Sequence, residues 1–305
     1  MVLSSNWGSR FSLNFLGRVV VSSVLVLISQ FSLTFVPRYL PASSVAVQLS
    51  LSVLILLAIT GIGRCCKKIL QIRASAPAFV LFNIFFIWAV YICIVRKAVS
   101  GLMDVVFNGE IAFLIAGFFR ILRSDPGFVS LESVSLNEAT DTSACGEVES
   151  GTSRSSIICD HPIEETSASA RTVRYCRTCK KYVMGFDHHC PAFGNCIGRK
   201  NHFLFMVLLV GFLITEVSYG NLSRDLTVST KLFSLLQVLW QGVFLAWHIY
   251  CICYNIRTDE WINWKKYPEF QVPAQLQSDE AYAVTNFRNP YDKGIIQNFM
   301  EFLTD

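Results

Sequence analysis

Residues 176–201 read CRTCKKYVMGFDHHCPAFGNCIGRKN, and this stretch decides how the rest of the chain is read. Cys176 and Cys179 stand two residues apart, the spacing that lets one tight turn present two sulfurs to a metal. His189 and Cys196 supply the best second pair, so four residues of the types zinc prefers lie within 21 positions of sequence. Cys190 is adjacent to His189, and consecutive side chains usually diverge, so Cys190 need not share the metal. Spacing alone leaves a purely structural zinc knuckle fully open. The run Asp187-His188-His189-Cys190 points further. A thiolate is the nucleophilic form of cysteine and needs a base to generate it at neutral pH. His188 can take the Cys190 proton, and Asp187 can fix the tautomer of His188 and stabilise its charged form. Orienter, base, metal ligand and nucleophile then occupy four consecutive positions.

Outside this polar module the chain is apolar. Of 305 residues, 52% are hydrophobic and only 16% charged, where soluble domains carry about 25% charged residues. Six runs have spanning length, at about 16–36, 45–63, 78–95, 102–119, 203–219 and 232–253. An α-helical polytopic membrane protein with about six transmembrane helices is expected, the small zinc-binding module lying between spans 4 and 5. The first run lacks a small-residue cleavage site after a short apolar core and is read as a retained span. Pro37 to Pro41 reads as a turn, and Arg64-Cys65-Cys66-Lys67-Lys68 as the basic foot of span 2. Juxtamembrane cysteines such as Cys65 and Cys66 are where S-acylation often lands. Asp104 and Glu110 interrupt span 4, and placement near the interface is expected for both. The span is retained because it puts the basic foot and the cysteine module on one face, as the positive-inside rule prefers. That face is the cytosolic one, where thiols stay reduced.

The chain divides accordingly. Residues 1–120 form an N-terminal transmembrane bundle. A linker at 121–172 carries a Ser/Thr/Glu-rich insert over 130–172 that cannot bury a core. The cysteine-rich module is 173–202, spans 5 and 6 lie within 203–253, and a polar tail runs over 254–305. Trp261, Trp264, Tyr267 and Phe270 in the tail suit a segment at headgroup level. Asn221-Leu222-Ser223 matches a glycosylation acceptor close to the membrane. The net charge of +4 is small and dispersed, which argues against nucleic acid as a partner. Six spans with Glu216 and His248 inside them raise a transporter reading, but no internal repeat or paired carboxylates support it.

The module resembles the DHHC-type protein S-acyltransferases, or palmitoyltransferases. Asp187 to Cys190 is similar to their signature tetrapeptide, and Pro191, Asn195, Cys196, Gly198 and Asn201 continue the pattern. Asp125-Pro126-Gly127 resembles the family's motif ahead of the cysteine-rich domain. Thr258-Asp259-Glu260 resembles the motif after the last span, and Asn289-Pro290-Tyr291 through Gly294 and Asn298 the C-terminal one. The resemblance implies that Cys190 attacks a fatty acyl-CoA thioester and passes the acyl group to a protein cysteine thiol on the cytosolic face. The acyl chain lies among the spans, and zinc is structural. It further implies that Thr258 helps position Asp187, with Asn298 supporting, and that Arg177, Lys180, Lys181, Arg199 and Lys200 meet the CoA phosphates. The host membrane is the Golgi, the endoplasmic reticulum or the plasma membrane.

Three departures stand out. The family's second zinc site falls at Pro162, Glu165, Tyr175 and Tyr182, which cannot build one, so a single zinc is expected, with the two tyrosines packing in its place. Cys159 and His161 are nearby at the wrong spacing. Ala192 replaces a tryptophan and Arg257 a threonine. These losses give some weight to an alternative, a catalytically weak membrane scaffold that uses the zinc knuckle to bind a partner.

Overall fold

Apolar residues that run on without a polar face make helices that are buried in lipid or protein on every side. The computed structural model describes residues 5–129, 173–223, 228–273 and 285–304. Among them, six helices are long and apolar enough to cross a membrane. They are α1 (Ser5–Tyr39), α2 (Val45–Leu70), α3 (Ala76–Cys93), α4 (Gly101–Arg123), α5 (His202–Ser223) and α6 (Val228–Cys253). The chain is a multi-pass membrane protein, mostly helical, with the cysteine-rich segment between α4 and α5.

Contacts divide the chain into two units. The helical unit holds residues 1–123, 191–194 and 204–250. Its core gathers Leu33, Ile84, Ile87, Tyr91, Val95, Phe107, Ile111, Tyr219 and Phe233. Polar side chains inside it bond across helices, because lipid offers them no partner. Gln30 Nε2 donates to Asn83 Oδ1 at 3.1 Å, tying α1 to α3. Asp104 is satisfied three times over: Tyr91 Oη donates to it at 3.0 Å, Asn108 Nδ2 at 2.9 Å, and the Arg96 guanidinium pairs with it at 3.0 Å. Glu110 accepts from the Ser218 hydroxyl at 3.1 Å, joining α4 to α5. Protein partners rather than interface placement alone therefore account for the polar residues of span 4. The α4–α5 approach is close enough that a Cβ on Gly117 would collide with the Leu208 side chain.

Two helix ends differ from expectation. The Pro37–Pro41 turn begins later, because α1 continues to Tyr39 with Pro37 inside its last turn. A proline there forfeits one terminal hydrogen bond at a point where the helix is about to stop. The second span, expected to end at Gly63, continues through the basic foot to Leu70 and closes on Gln71 at φ 56°. Lys67 and Lys68 in its last turn complement the negative end of the helix dipole.

The second unit holds residues 124–190, 195–203 and 251–305. Its sheet has the order β1 (Phe128–Val129), β3 (Lys181–Met184), β2 (Val173–Cys176), all antiparallel, with Tyr175 facing Tyr182. Strands β4 (His188–Cys190) and β5 (Asn195–Ile197) form a separate hairpin. Gly198 lies so close to the Pro126 carbonyl and the Val183 side chain that no Cβ fits, which locks Asp125-Pro126-Gly127 onto the module. After α6 the chain turns at Asn255 (φ 47°) into the short helix α7 (Thr258–Asn263). Strands β6 (Gln271–Pro273) and β7 (Thr285–Phe287) pair, and α8 (Ile295–Thr304) follows.

The tail aromatics pack on one another more than the headgroup reading anticipated. Phe287 takes Trp261 and Trp264 edge-on, with centroids 5.3 and 5.6 Å away, and stacks on the fully buried Phe270 at 5.9 Å. Tyr267 lies 3.7 Å under the Arg174 guanidinium. Asn298 is buried; its Nδ2 donates to the Cys253 carbonyl at 2.8 Å, and its Oδ1 accepts from the Lys293 amide at 3.0 Å.

Candidate active site and metal centre

In a strand, alternate side chains face opposite ways. Strand β4 therefore puts His188 and Cys190 on one face and His189 on the other. The His189 face meets the sulfurs. Its Nδ1 lies 3.4 Å from Cys179 Sγ and 3.7 Å from Cys196 Sγ, and the two sulfurs are 3.4 Å apart. Cys176 completes the set, with all four ligand atoms within 4.8 Å of one another. A tetrahedral zinc with Zn–S near 2.3 Å and Zn–N near 2.0–2.1 Å requires edges of about 3.6–3.8 Å, so the cluster has the size and donor chemistry for that ion. Register delivers it: His189 pairs directly with Cys196 across the hairpin. The turn after Cys176 places Lys180 at φ 54° and returns its amide to the Cys176 carbonyl at 2.7 Å, which brings Cys179 round beside Cys176. Burial raises the Cys179 and Cys196 thiols above their usual range. A bound cation reverses that by stabilising the thiolates. Burial, reinforced by the neighbouring His188, lowers His189 and favours the neutral imidazole a metal needs.

The opposite face carries His188 and Cys190, with Asp187 set against the His188 ring. Asp187 has no exposed surface. Its Oδ2 is 2.7 Å from His188 Nδ1, its Oδ1 accepts from the Thr258 amide at 2.8 Å, and its carbonyl accepts from the Asp259 amide at 3.0 Å. The first residue of a helix has a backbone N–H with no intrahelical partner, and Thr258 spends that donor on a buried carboxylate. Thr258 thus reaches Asp187 through its backbone, not its hydroxyl. Cys190 lies two residues on, along the same strand face as His188. Burial opposes charge on the imidazole, but the bond to Asp187 and the contact with Cys190 outweigh it, and His188 is pushed up to about 9. With Nδ1 held by Asp187, Nε2 is the nitrogen able to take a proton from Cys190. Asp187 and His188 form a bonded acid–imidazole pair, with Cys190 on the same strand face as His188.

The family model for the DHHC palmitoyltransferase matches residues 164–230. Over that segment the chain is similar to the DHHC palmitoyltransferases. Among its relatives is mouse Palmitoyltransferase ZDHHC17, 27% identical over 219 residues, covering 62% of this chain and 32% of the relative. Fruit-fly Palmitoyltransferase Hip14 is 26% identical over 246 residues, 71% of this chain and 35% of the relative. The Arabidopsis Probable protein S-acyltransferase 1 is 30% identical over 144 residues, 42% and 37% of the respective chains. The chain spans about a third of the length of these curated relatives.

Against the DHHC pattern, Tyr175 and Tyr182 pack with ring centroids 5.1 Å apart. Pro162, Glu165, Cys159 and His161 lie outside the described residues, as do the insert over 130–172 and the Cys66 and Ser223 side chains. The substituted Arg257 donates to His202 Nδ1 at 2.8 Å. Ala192 sits beside Phe193, which packs on Phe118 and Phe205 within the helical unit. The proposed CoA cations are not equivalent. Lys200 pairs with Asp125 at 2.8 Å and holds its carboxyl down at about 2, while Lys181 lies 4.5 Å from the Phe128 ring centroid. Arg177, Lys180 and Arg199 are exposed.

The sequence pattern named Asn195 and Asn201 but assigned them no role, and Ser124, Arg174 and Glu269 escaped it. Asn201 Nδ2 donates to Ser124 Oγ and to the Cys196 carbonyl, both at 3.0 Å, and its Oδ1 accepts from the Gly198 amide. Asn195 Nδ2 donates to the Ser124 carbonyl at 2.9 Å. Ser124 precedes the Asp-Pro-Gly motif, and that adjacency was the only available signal. Arg174 bridges Glu269 at 2.8 Å and the buried Glu260 at 3.9 Å, a link that no spacing rule reveals.

Proposed function

We propose that the protein is an S-acyltransferase that moves a fatty acyl group, palmitoyl above all, from acyl-CoA to protein cysteine thiols through an acyl-Cys190 intermediate. The observation that carries this reading is the His188 imidazole, held at 2.7 Å by buried Asp187 and sharing the face of strand β4 with Cys190. In the first half-reaction, His188 takes the Cys190 proton and the sulfur attacks the thioester carbonyl. The carbon–sulfur bond to CoA breaks, and the CoA sulfur leaves with the proton held by His188. In the second, a substrate thiol gives its proton to His188 and attacks the acyl-Cys190 carbonyl, and Cys190 leaves as the thiol. Asp187 keeps Nδ1 protonated throughout and balances the imidazolium. Cys176, Cys179, His189 and Cys196 hold a single zinc, which braces the hairpin that presents Cys190. The exposed Arg177, Lys180 and Arg199 are the cations offered to CoA phosphates; Lys200 serves only if Asp125 releases it. The active site faces the cytosol of an endomembrane or the plasma membrane.

The test is direct. Purified protein with labelled palmitoyl-CoA should acquire hydroxylamine-sensitive label that disappears in Cys190→Ser. Full label on that variant would place the acyl group elsewhere, Cys65 and Cys66 being the first suspects. Absence of label on folded, zinc-loaded wild type would favour the scaffold alternative.

A further inference from the structure

We infer that the end of the bundle where α2 stops and α3 begins carries a binding site for the phosphomonoester headgroup of an anionic bilayer lipid. The site is a cavity of about 690 Å³ lined by Asn14, Phe15, Arg18, Lys67, Gln71, Ile72 and Arg73. Three of those side chains are cationic, and among the described residues no carboxylate lines the cavity or pairs with any of the three.

The cavity is built, not left over. Helix α2 ends on Gln71 in the left-handed region, and Gln71 Nε2 donates to the Lys68 carbonyl at 3.3 Å, which turns the chain out of the helix. Ile72 then packs on Gly17, where a Cβ would come within 3.1 Å of it. The Ser22 hydroxyl of α1 accepts from the Ser75 amide at 2.8 Å and donates to the Ser75 carbonyl at 2.9 Å. These contacts fix residues 71–75 against α1 and bring Arg73 and Lys67 to the same opening as Arg18. Guanidinium groups recognise phosphate oxygens in bidentate fashion, and an ammonium adds a point charge. Phe15, largely exposed at the cavity wall, gives the site an apolar border suited to a lipid rather than to free phosphate.

The rival account is that these cations merely mark membrane orientation. Arg64 and Lys68 discriminate: they are exposed near the same helix end but do not line the cavity. Basic residues near an anionic surface contribute about fivefold in affinity each, so three converging on one headgroup give roughly a hundredfold. The full chain in detergent micelles would be titrated with short-chain phosphatidic acid, with phosphatidylserine, and with soluble glycerol 3-phosphate. Expected are preferential binding of phosphatidic acid, about a hundredfold loss in the R18Q/K67Q/R73Q triple variant, and a far smaller loss in R64Q/K68Q, whose side chains do not line the cavity. The three single variants, each expected to weaken binding about fivefold, preserve the test should the triple variant elute as aggregate. Equal loss in the control pair would reduce the effect to surface charge and overturn the inference. Equal affinity for phosphatidylserine would overturn the phosphomonoester assignment, and equal affinity for glycerol 3-phosphate the lipid one. Acyl transfer by Cys190 enters none of these readouts, so failure here leaves the proposed function standing.

Discussion

Replacing Thr258 with proline should slow the transfer reaction, while replacing it with valine should not. Thr258 is the first residue of α7, preceded by Arg257 at φ −84° and ψ 151°. Proline is well tolerated at the first position of a helix, and the residue before a proline prefers that extended conformation. The backbone therefore accepts Thr258→Pro without rearrangement, and the substitution removes one atom group of consequence, the N–H that Asp187 Oδ1 accepts at 2.8 Å. A hydrogen bond to a charged acceptor is worth about 1.5–3 kcal/mol, and Asp187 is fully buried, so no water replaces the donor. If the loss falls on the orientation of Asp187, and so of His188, the rate of acyl-Cys190 formation drops about 10- to 150-fold. Thr258→Val keeps the amide and the shape while deleting the hydroxyl, and should stay within about threefold of wild type, since the hydroxyl makes no bond to Asp187. The assay is the initial rate of hydroxylamine-sensitive labelling by fluorescent palmitoyl-CoA, with zinc content and unfolding temperature measured in parallel. Valine slowing the enzyme as much as proline would put the positioning in the side chain and refute the reasoning. Proline leaving the rate unchanged would show that Asp187 does not need the second anchor.

Further outcomes follow from the same geometry. Metal analysis should find one zinc per chain, and Cys179→Ala should lose it together with the cooperative unfolding of the cysteine-rich unit, because such a site supplies about 10–16 kcal/mol of apparent binding energy; two zincs per chain would refute the single-site reading. Gly117→Val forces a branched side chain into Leu208 and should cost about 1–3 kcal/mol of helical stability, seen as a lowered unfolding temperature in detergent, with Gly109→Val, in open space, as the neutral control. Lys200 holds Asp125 at about 2, well under the ordinary carboxylate range near 3.8. A carboxyl lowered by folding stabilises the protein above its unfolded pKa, and the contribution fades as pH falls from about 4 towards 2. Both groups are half exposed or more, so Lys200→Met should cost under about 1 kcal/mol at neutral pH, and only a small part of that at pH 2. A larger neutral-pH loss would mean Lys200 carries more than this ion pair.

Much of this protein was already legible in its residues. Long apolar runs fix the helical membrane class because a buried backbone in lipid must satisfy its own hydrogen bonds. The Cys176, Cys179, His189 and Cys196 cluster was equally legible, because zinc ligation depends on side-chain types brought close by short, local turns. The divergence of consecutive side chains already sets Cys190 apart from His189, while the shared face of His188 and Cys190 came with strand β4. Tertiary structure alone decided what holds Asp187. Its anchor is a backbone amide 71 residues away, and amides carry no identity in the sequence, so the residue letters point to the threonine hydroxyl rather than to the peptide group. The same holds for the Ser124 anchor of Asn195 and Asn201, the Arg257–His202 bond, and the cation-lined cavity beside Ser22 and Ser75. Each joins residues far apart in the chain through contacts whose cost and gain exist only once the backbone has been folded back on itself.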